Sequence, residues 1–171
     1  MFTTLIALGV IAVQIAIVIL VVLWIRKSPL LEKIYQSSHL VIPILFIGAA
    51  LGSLVYEIAF GFEPCLLCWY QRIAIFGVAI LSLTGDFRKS RLLQKQVLVF
   101  SALGLLIAIL HNYIDIIPTG IDICGAGPSC LKRYVYEFGY ITIPMASLTT
   151  LLAGTLLSSF ALKYTTATVL K

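Results

Sequence analysis

The four cysteines fall into two closely spaced pairs, and they carry the most distinctive chemistry in the sequence. The first pair is Cys65 and Cys68, in the stretch Gly-Phe-Glu-Pro-Cys-Leu-Leu-Cys-Trp-Tyr-Gln-Arg. A disulfide within C-x-x-C closes a very small ring, so it restrains little of the unfolded chain. This spacing is typical of redox exchange or of metal ligation.

Pro64 and Arg72 indicate where the first pair lies. Proline cannot continue a preceding helix and suits a first helical turn, so the pair is predicted at the N-terminus of a helix. Free backbone N–H groups and the positive end of the helix dipole favour a thiolate there. Arg72 follows Cys68 by four residues and lies one turn along on the same face. We expect it to hold a positive charge within reach of that sulfur, or of an anionic ligand beside it.

The second pair, Cys124 and Cys130, encloses Gly-Ala-Gly-Pro-Ser. Two glycines and a proline predict a loop, and a loop disulfide on an oxidising face can be exposed and readily exchanged. In the segment from Leu131 to Phe138, apolar residues recur at helical spacing and the charged residues take the other side. This pattern predicts a short helix lying in the membrane interface.

The remainder of the chain excludes a water-soluble domain. Of 171 residues, 61% are hydrophobic and 11% are charged, whereas a soluble domain has about a quarter charged residues. A helix needs roughly 20 mostly apolar residues to cross a membrane. Five stretches qualify and predict an all-α integral membrane protein: Leu5–Ile25, Leu40–Phe60, Cys68–Thr84, Val97–Tyr113 and Tyr140–Ala161.

Basic residues predict the orientation of these spans. If all five cross, one side holds nine basic residues: Arg26, Lys27, Lys33, Arg88, Lys89, Arg91, Lys95, Lys163 and Lys171. The other side holds Arg72, Lys132 and Arg133. The positive-inside rule then places the C-terminus in the cytoplasm and all four cysteines outside. The first span lacks a basic start and a small-residue cleavage site, so we interpret it as an uncleaved helix with an anchoring or packing role.

Three further features have structural interpretations on pattern alone. Glu57 lies in an apolar span but one turn from the outer interface, which indicates a solvated carboxylate. Gly48-x-x-x-Gly52 is expected to let the second span pack closely on a neighbour. His111, at the outer end of the fourth span, is interpreted either as an interfacial residue at a helix end or as part of a site.

The stretch Glu-Pro-Cys-Leu-Leu-Cys-Trp-Tyr-Gln-Arg, continuing Ile-Ala-Ile-Phe-Gly, resembles the disulfide bond formation protein B (DsbB/BdbC) family of bacterial membrane oxidoreductases. The family motif is P-C-x-L-C-x-(Y/W)-x-R, and a second outward cysteine pair follows it. The resemblance covers roughly residues 40–162, the family's four-helix transmembrane bundle. It implies that residues 1–38 form an extra N-terminal transmembrane helix and cytoplasmic loop, and that 39–171 form the thiol:quinone oxidoreductase core. Gln71 departs from the Glu of many members.

The resemblance also implies a relay in the bacterial cell membrane. A soluble extracytoplasmic thioredoxin-fold disulfide oxidase (DsbA/BdbD-like) would deliver electrons, and a membrane quinone, ubiquinone or menaquinone, would accept them. By family position, Cys124 forms the mixed disulfide, Cys130 attacks Cys65, and Cys68 faces the quinone as a thiolate. Arg72 would stabilise that thiolate and the reduced quinone oxygen, and His111 would contact the quinone. No metal is implied.

Three alternatives stay open on the sequence. Two inert disulfides would suit a non-enzymatic membrane scaffold. A zinc site would need all four thiolates in one tetrahedron, and it gives no reason for a pair to cap a helix beside an arginine. A vitamin K epoxide reductase-like protein would also couple two cysteine pairs to a quinone, but in that family the loop pair precedes the C-x-x-C.

Overall fold

The computed structural model describes residues 2–87, 89–117, 124 and 128–169. Arg88 and Lys171, counted above among the basic residues, and the Gly-Ala-Gly stretch after Cys124 lie outside the described residues. The described chain forms five α-helices: α1 (Phe2–Ile25), α2 (Leu30–Ile58), α3 (Leu66–Leu83), α4 (Arg91–Ile116) and α5 (Ile143–Val169). All five are long and apolar enough to cross a membrane. The prediction of an all-α chain with five candidate membrane spans is confirmed for the described residues, and it fits a multi-pass membrane protein. That α1 crosses the membrane stays a prediction.

Helices α2 to α5 pack around one apolar core. Phe46, Val78, Val97 and Leu151 come from four different helices and are all fully buried there. Helices α3 and α4 approach closely at Gly104. A Cβ at this position would lie 2.6 Å from the Cβ of Ala74, so only glycine allows this contact. Small residues at such points let membrane helices approach and gain van der Waals contact.

The expected close packing at Gly48 and Gly52 is wrong. Apart from its chain neighbours and the nearby backbone of its own helix, no atom of the described residues lies within 4 Å of a Cβ built at Gly48. At Gly52 the nearest is the Cδ1 of Ile6, at 3.7 Å. The physical reason is that α1 stands off from α2 at this level, so the glycines border a cavity rather than a helix interface.

Helix α1 is attached to the core through its one polar side chain in the middle of the span. The Gln14 amide donates to the Thr149 hydroxyl at 3.1 Å, and the Tyr140 hydroxyl donates to Gln14 Oε1 at 2.8 Å. Both bonds satisfy an amide that would otherwise face hydrocarbon. Ala7 and Val10 add a small apolar contact with Ile141.

The prediction of a short interfacial helix after Cys130 is wrong. Residues 131–138, all described, contain no helix, and the chain turns back at Phe138 and Gly139, whose φ values are +52° and +78°. Glu137 and Ile141 exchange backbone hydrogen bonds across this turn, at 3.0 and 2.9 Å. Helix α5 accordingly begins at Ile143 rather than at Tyr140. The apolar residues are used for tertiary contacts instead; the Tyr134 ring, for instance, stacks on Phe62 at 4.7 Å.

Candidate active site

The first cysteine pair caps the N-terminus of α3. Cys65 is the N-cap residue, with an extended backbone, and its sulfur accepts a hydrogen bond from the backbone N–H of Cys68 at 3.4 Å. Pro64 precedes the cap rather than lying in the first turn. Both cysteines are free thiols, with their sulfurs 3.1 Å apart. The predicted helix-terminal position therefore holds, and it places unpaired backbone donors beside the pair.

Cys65 is the thiol of this pair that its surroundings favour as an anion. A hydrogen bond from the Cys68 side chain, then one from His111, lowers the pKa of Cys65 from its usual 9.0 to about 4, against the opposing effect of burial. Hydrogen bonds to the charged form lower the pKa of an acid in this way. This charge belongs to the state in which both inner cysteines are reduced. The thiolate at Cys68 that the resemblance implies arises when Cys65 is bonded to Cys130, and it stays a prediction.

The second pair forms a disulfide, Cys124–Cys130, with Cα atoms 5.8 Å apart. Both of its cysteines are buried, at 6% and 4% exposure, although the turn-rich sequence suggested an exposed bond. The disulfide lies against the first pair: the sulfurs of Cys65 and Cys130 and a ring nitrogen of His111 lie within 4.8 Å of one another. Cys65, Cys124 and Cys130 share one apolar cluster, which Cys68 joins at its edge.

His111 lies between the two pairs and is 2% exposed. The side-chain amide nitrogen of Gln71 donates to its Nδ1 at 3.0 Å. Because an amide nitrogen can only donate, Nδ1 is the acceptor and Nε2 carries the ring proton. Nε2 faces the Cys65 sulfur at 3.9 Å and the Cys130 carbonyl at 3.3 Å. His111 is thus a buried donor to the sulfur centre, not a surface residue at a helix end.

Arg72 is held by three groups at the edge of the site. It forms an ion pair with Glu57 and donates to the Ser53 carbonyl at 3.0 Å, and it lies 5.4 Å from the centre of the Trp69 ring. The Arg72 side chain is 9% exposed and that of Glu57 is 37% exposed. Glu57 is therefore the counter-ion of Arg72, where the sequence had suggested a simply solvated carboxylate.

Arg133 ties the segment after Cys130 to the end of α4. Its Nε donates to the Asp115 carboxylate at 2.6 Å, and a second donor contacts the Asp115 backbone carbonyl. The Asp115 side chain is 8% exposed and that of Arg133 is 43% exposed. This contact, rather than an interfacial helix, holds the chain after Cys130 at the C-terminal end of α4.

A cavity of about 60 Å³ brings together five of the predicted site residues: Cys65, Cys68, Arg72, His111 and Cys130. Cys124 is linked to it through its bond to Cys130. Sequence reasoning did not assign Gln71 or Glu57 to the site; a buried amide and a carboxylate in apolar helices were the available signals. The donor set does not match the zinc alternative, because the Cys130 sulfur is bonded to Cys124 and is not a thiolate ligand.

The amino-acid sequence matches a known protein family. The family model for disulfide bond formation protein DsbB matches residues 35–164. This chain belongs to the DsbB family. Its resemblance to that family is thereby confirmed, and the DsbB family's activity makes it a membrane oxidoreductase of disulfide bond formation.

Curated relatives carry the same description. The chain is 36% identical over 107 residues to "Probable disulfide formation protein C 2" of Bacillus anthracis, covering 62% of this chain and 76% of that protein. It is 34% identical over 113 residues to the SPbeta prophage-derived disulfide bond formation protein B of Bacillus subtilis, covering 66% and 76%. It is 36% identical over 102 residues to disulfide bond formation protein C of Bacillus subtilis, covering 58% and 74%. No solved structure matches.

Proposed function

We propose that this DsbB-family protein reoxidises a soluble extracytoplasmic thioredoxin-fold disulfide oxidase and passes the electrons to a membrane quinone. The observation that carries the proposal is the approach of the Cys65 and Cys130 sulfurs to within 4.8 Å of each other. Thiol–disulfide exchange requires a thiolate next to the sulfur that it attacks. The structure has the two products of such an exchange side by side: Cys65, which favours the thiolate, and the Cys124–Cys130 disulfide.

The first exchange oxidises the soluble partner. A partner thiolate attacks the Cys124 sulfur, the Cys124–Cys130 bond breaks, and Cys130 leaves as a thiolate. The partner's second thiolate then breaks the mixed disulfide, and Cys124 leaves as a thiolate. Because Cys124 is 6% exposed, its sulfur must first become accessible to the partner.

The second exchange moves the electron pair to the inner cysteines. The Cys130 thiolate attacks Cys65 of an inner disulfide and releases Cys68. Cys124 then attacks Cys130, which re-forms Cys124–Cys130 and releases Cys65 as a thiolate. The resulting state has an outer disulfide and an inner dithiol, which is the pattern in the structure. The hydrogen bonds that lower the pKa of Cys65 favour its departure as an anion.

The inner pair then has to give up two electrons at the membrane. A quinone supplies an acceptor for two electrons and two protons, so the inner disulfide re-forms. The residues present suit this chemistry: Cys68 is partly exposed at the cavity, and Arg72 holds a positive charge there. Arg72 would stabilise negative charge at the acceptor oxygen, and Glu57 with Ser53 keeps the guanidinium in position.

The proposed orientation follows from the charges. With the C-terminus in the cytoplasm, the basic segments between α1 and α2 and between α3 and α4 are cytoplasmic. Both cysteine pairs then lie on the extracytoplasmic side, where disulfides persist. The proposed division is an added transmembrane helix with its loop in residues 1–38 and the oxidoreductase core in 39–171.

The test is quinone reduction by the purified full-length chain mixed with a reduced thioredoxin-fold oxidase. Quinone absorbance should change with wild type and with Thr155→Ala, a control on α5 whose hydroxyl bonds to its own helix. Cys65→Ser and Cys68→Ser should abolish it. Cys124→Ser and Cys130→Ser should stop oxidation of the partner, while quinone still oxidises the inner pair. Normal turnover by an outer-pair variant would refute the relay order, and no absorbance change with competent partners and several quinones would favour a scaffold.

A further inference from the structure

A second, much larger cavity lies beside the site, between α1, α2 and α5. Its volume is about 530 Å³, within the range of small-molecule binding sites. The lining residues on α2 run from Ile44 to Tyr56, which is about 18 Å along the helix axis. Gly9 and Val10 of α1 form part of the opposite wall. The cavity is therefore long, apolar and parallel to the helices.

This cavity adjoins the cysteine site. Residues that line both it and the smaller cavity containing Cys68 are Ser53, Tyr56, Arg72, Ile143 and Ser147. Arg72 thus lies at the boundary, with the reactive sulfurs on one side and the apolar volume on the other. A molecule with a polar ring at Arg72 and an apolar tail would match this division.

Glycines keep the cavity open. A Cβ built at Gly9 or at Gly48 would meet no atom of the described residues within 4 Å, apart from its chain neighbours and the nearby backbone of its own helix. Larger side chains at these facing positions would project into the cavity. The glycine pattern on α2 therefore provides room for a ligand, which explains why it does not provide a helix contact.

Helix α1 is bonded to α5 near its middle, and its N-terminal half, called the outer half here, forms one wall of the cavity. The hydrogen bonds of Gln14 hold its middle against α5 through Thr149. The cavity residues on α1 run from Phe2 to Val13, all on the N-terminal side of that attachment. The family match begins at residue 35, so this wall comes from outside the matched region.

We infer that the outer half of α1 completes a binding cavity for the isoprenoid tail of the quinone and gives this chain a preference for tailed quinones. The inference rests on the proposed function, because it assumes that a quinone accepts the electrons. Burial of hydrocarbon in an apolar cavity that adjoins Arg72 would hold the ring beside Cys68. A phospholipid acyl chain is the competing occupant.

The first test compares tailed and tail-less quinones with the purified full-length chain. Gly9→Leu and Gly48→Leu fill the cavity from opposite walls, and Ala12→Leu adds the same side chain at an exposed position of α1 that does not line it. The ratio of the KM for a tailed quinone to that for a tail-less one should rise about tenfold in both glycine variants, as expected for loss of two or so buried methylenes. Ala12→Leu should keep the wild-type ratio.

The second test measures binding without turnover. A tailed quinone with a photoreactive group on its tail should label residues 2–13 in wild type, and labelling should fall in Gly48→Leu. Labelling that maps elsewhere would overturn the inference, as would an unchanged KM ratio in both variants. So would labelling of residues 2–13 by a photoreactive phospholipid that excess tailed quinone fails to displace. If wild type reduced no quinone at all, the proposed function itself would fail, which is a different result from a lost tail preference.

Discussion

Gln71 donates its side-chain amide to Nδ1 of His111 across 3.0 Å, and both residues are almost completely buried. The bond joins α3 to α4 and sets the imidazole so that its Nε2–H faces the Cys65 sulfur. A histidine tautomer is commonly set by the hydrogen bond that its other nitrogen makes. Gln71 therefore positions His111, and His111 stabilises negative charge on Cys65.

Removing this bond should slow the chemistry of the inner pair. In Gln71→Leu, Nδ1 loses a buried partner worth about 1–3 kcal/mol, and the proton is no longer confined to Nε2. We expect a roughly tenfold slower reoxidation of the reduced inner pair by quinone. The carboxylate of Gln71→Glu would accept a hydrogen bond from Nδ1–H, so Nε2 would become the acceptor of the neutral ring and could no longer donate to Cys65. Gln71→Glu should therefore not restore the wild-type rate, and a Gln71→Glu rate equal to that of wild type would contradict the assigned tautomer.

Titration of Cys65 gives a direct check on the charge of the inner pair. Its pKa is lowered to about 4, so the thiolate should persist as the pH falls from 9 toward 5 and disappear only near 4. Thiolate ultraviolet absorbance of the protein with its inner pair reduced should show this midpoint, and Cys65→Ser should lack it. In His111→Ala, the loss of one hydrogen bond should move the midpoint upward. A wild-type midpoint near the ordinary thiol value would show that these hydrogen bonds do not stabilise the anion.

Arg72 and Glu57 should affect quinone reduction unequally. Arg72→Ala removes the positive charge at the boundary of the two cavities, so the apparent quinone KM should rise, by about tenfold for the loss of one charge-assisted hydrogen bond. Glu57→Gln keeps that charge and should have the smaller effect. Arg72→Lys should recover part of the activity, because it restores the charge without the paired donors. Equal activity of Arg72→Ala and wild type would remove Arg72 from the site.

The Asp115–Arg133 contact should control exchange between the cysteine pairs. Asp115→Ala removes the ion pair and leaves Arg133 only its bond to the backbone carbonyl of residue 115. The segment after Cys130 is then held less firmly, so the Cys130 sulfur should spend less time next to Cys65. We expect a rate of exchange between the pairs several-fold lower, since such a partly exposed ion pair contributes about 1 kcal/mol. The measurement is rapid mixing with reduced partner, followed by trapping of free thiols. Lys89→Ala, which removes another exposed ion pair, with Asp86, is the matched control, and an equal loss in both variants would count against a local role.

Two glycine substitutions should change stability in opposite directions. A Cβ at Gly104 would lie 2.6 Å from the Ala74 Cβ and 2.8 Å from the Leu151 Cδ2, so Gly104→Ala must push helices apart, at about 1–3 kcal/mol. In Gly48→Ala the added Cβ has open space around it, since no described residue outside its own stretch of α2 lies within 4 Å. Alanine has the better helix propensity, so this substitution should stabilise α2 by up to about 1 kcal/mol. Thermal unfolding in detergent should separate the two variants. Equal destabilisation would mean that α1 and α2 pack more closely than described.

The sequence by itself determined the five apolar helices and the position of the first cysteine pair at the start of α3. Both follow from local information: the length of an apolar run, and a proline that stops one helix before another begins. The motif around Cys65 and Cys68 also carried the family resemblance, because those residues are contiguous. The choice between a helix and a turn after Cys130 was not local, because tertiary contacts use the apolar residues there.

The tertiary structure decided which distant groups meet. Cys130 and Cys65 come together where residues 128–133 lie against the end of α4, and Arg133 is bonded there to Asp115. Gln71 reaches His111 because the close approach of α3 and α4 at Gly104 aligns their buried faces. Periodicity shows which face of a helix is apolar, but not which neighbour it meets or at what depth, since that depends on packing among all five helices.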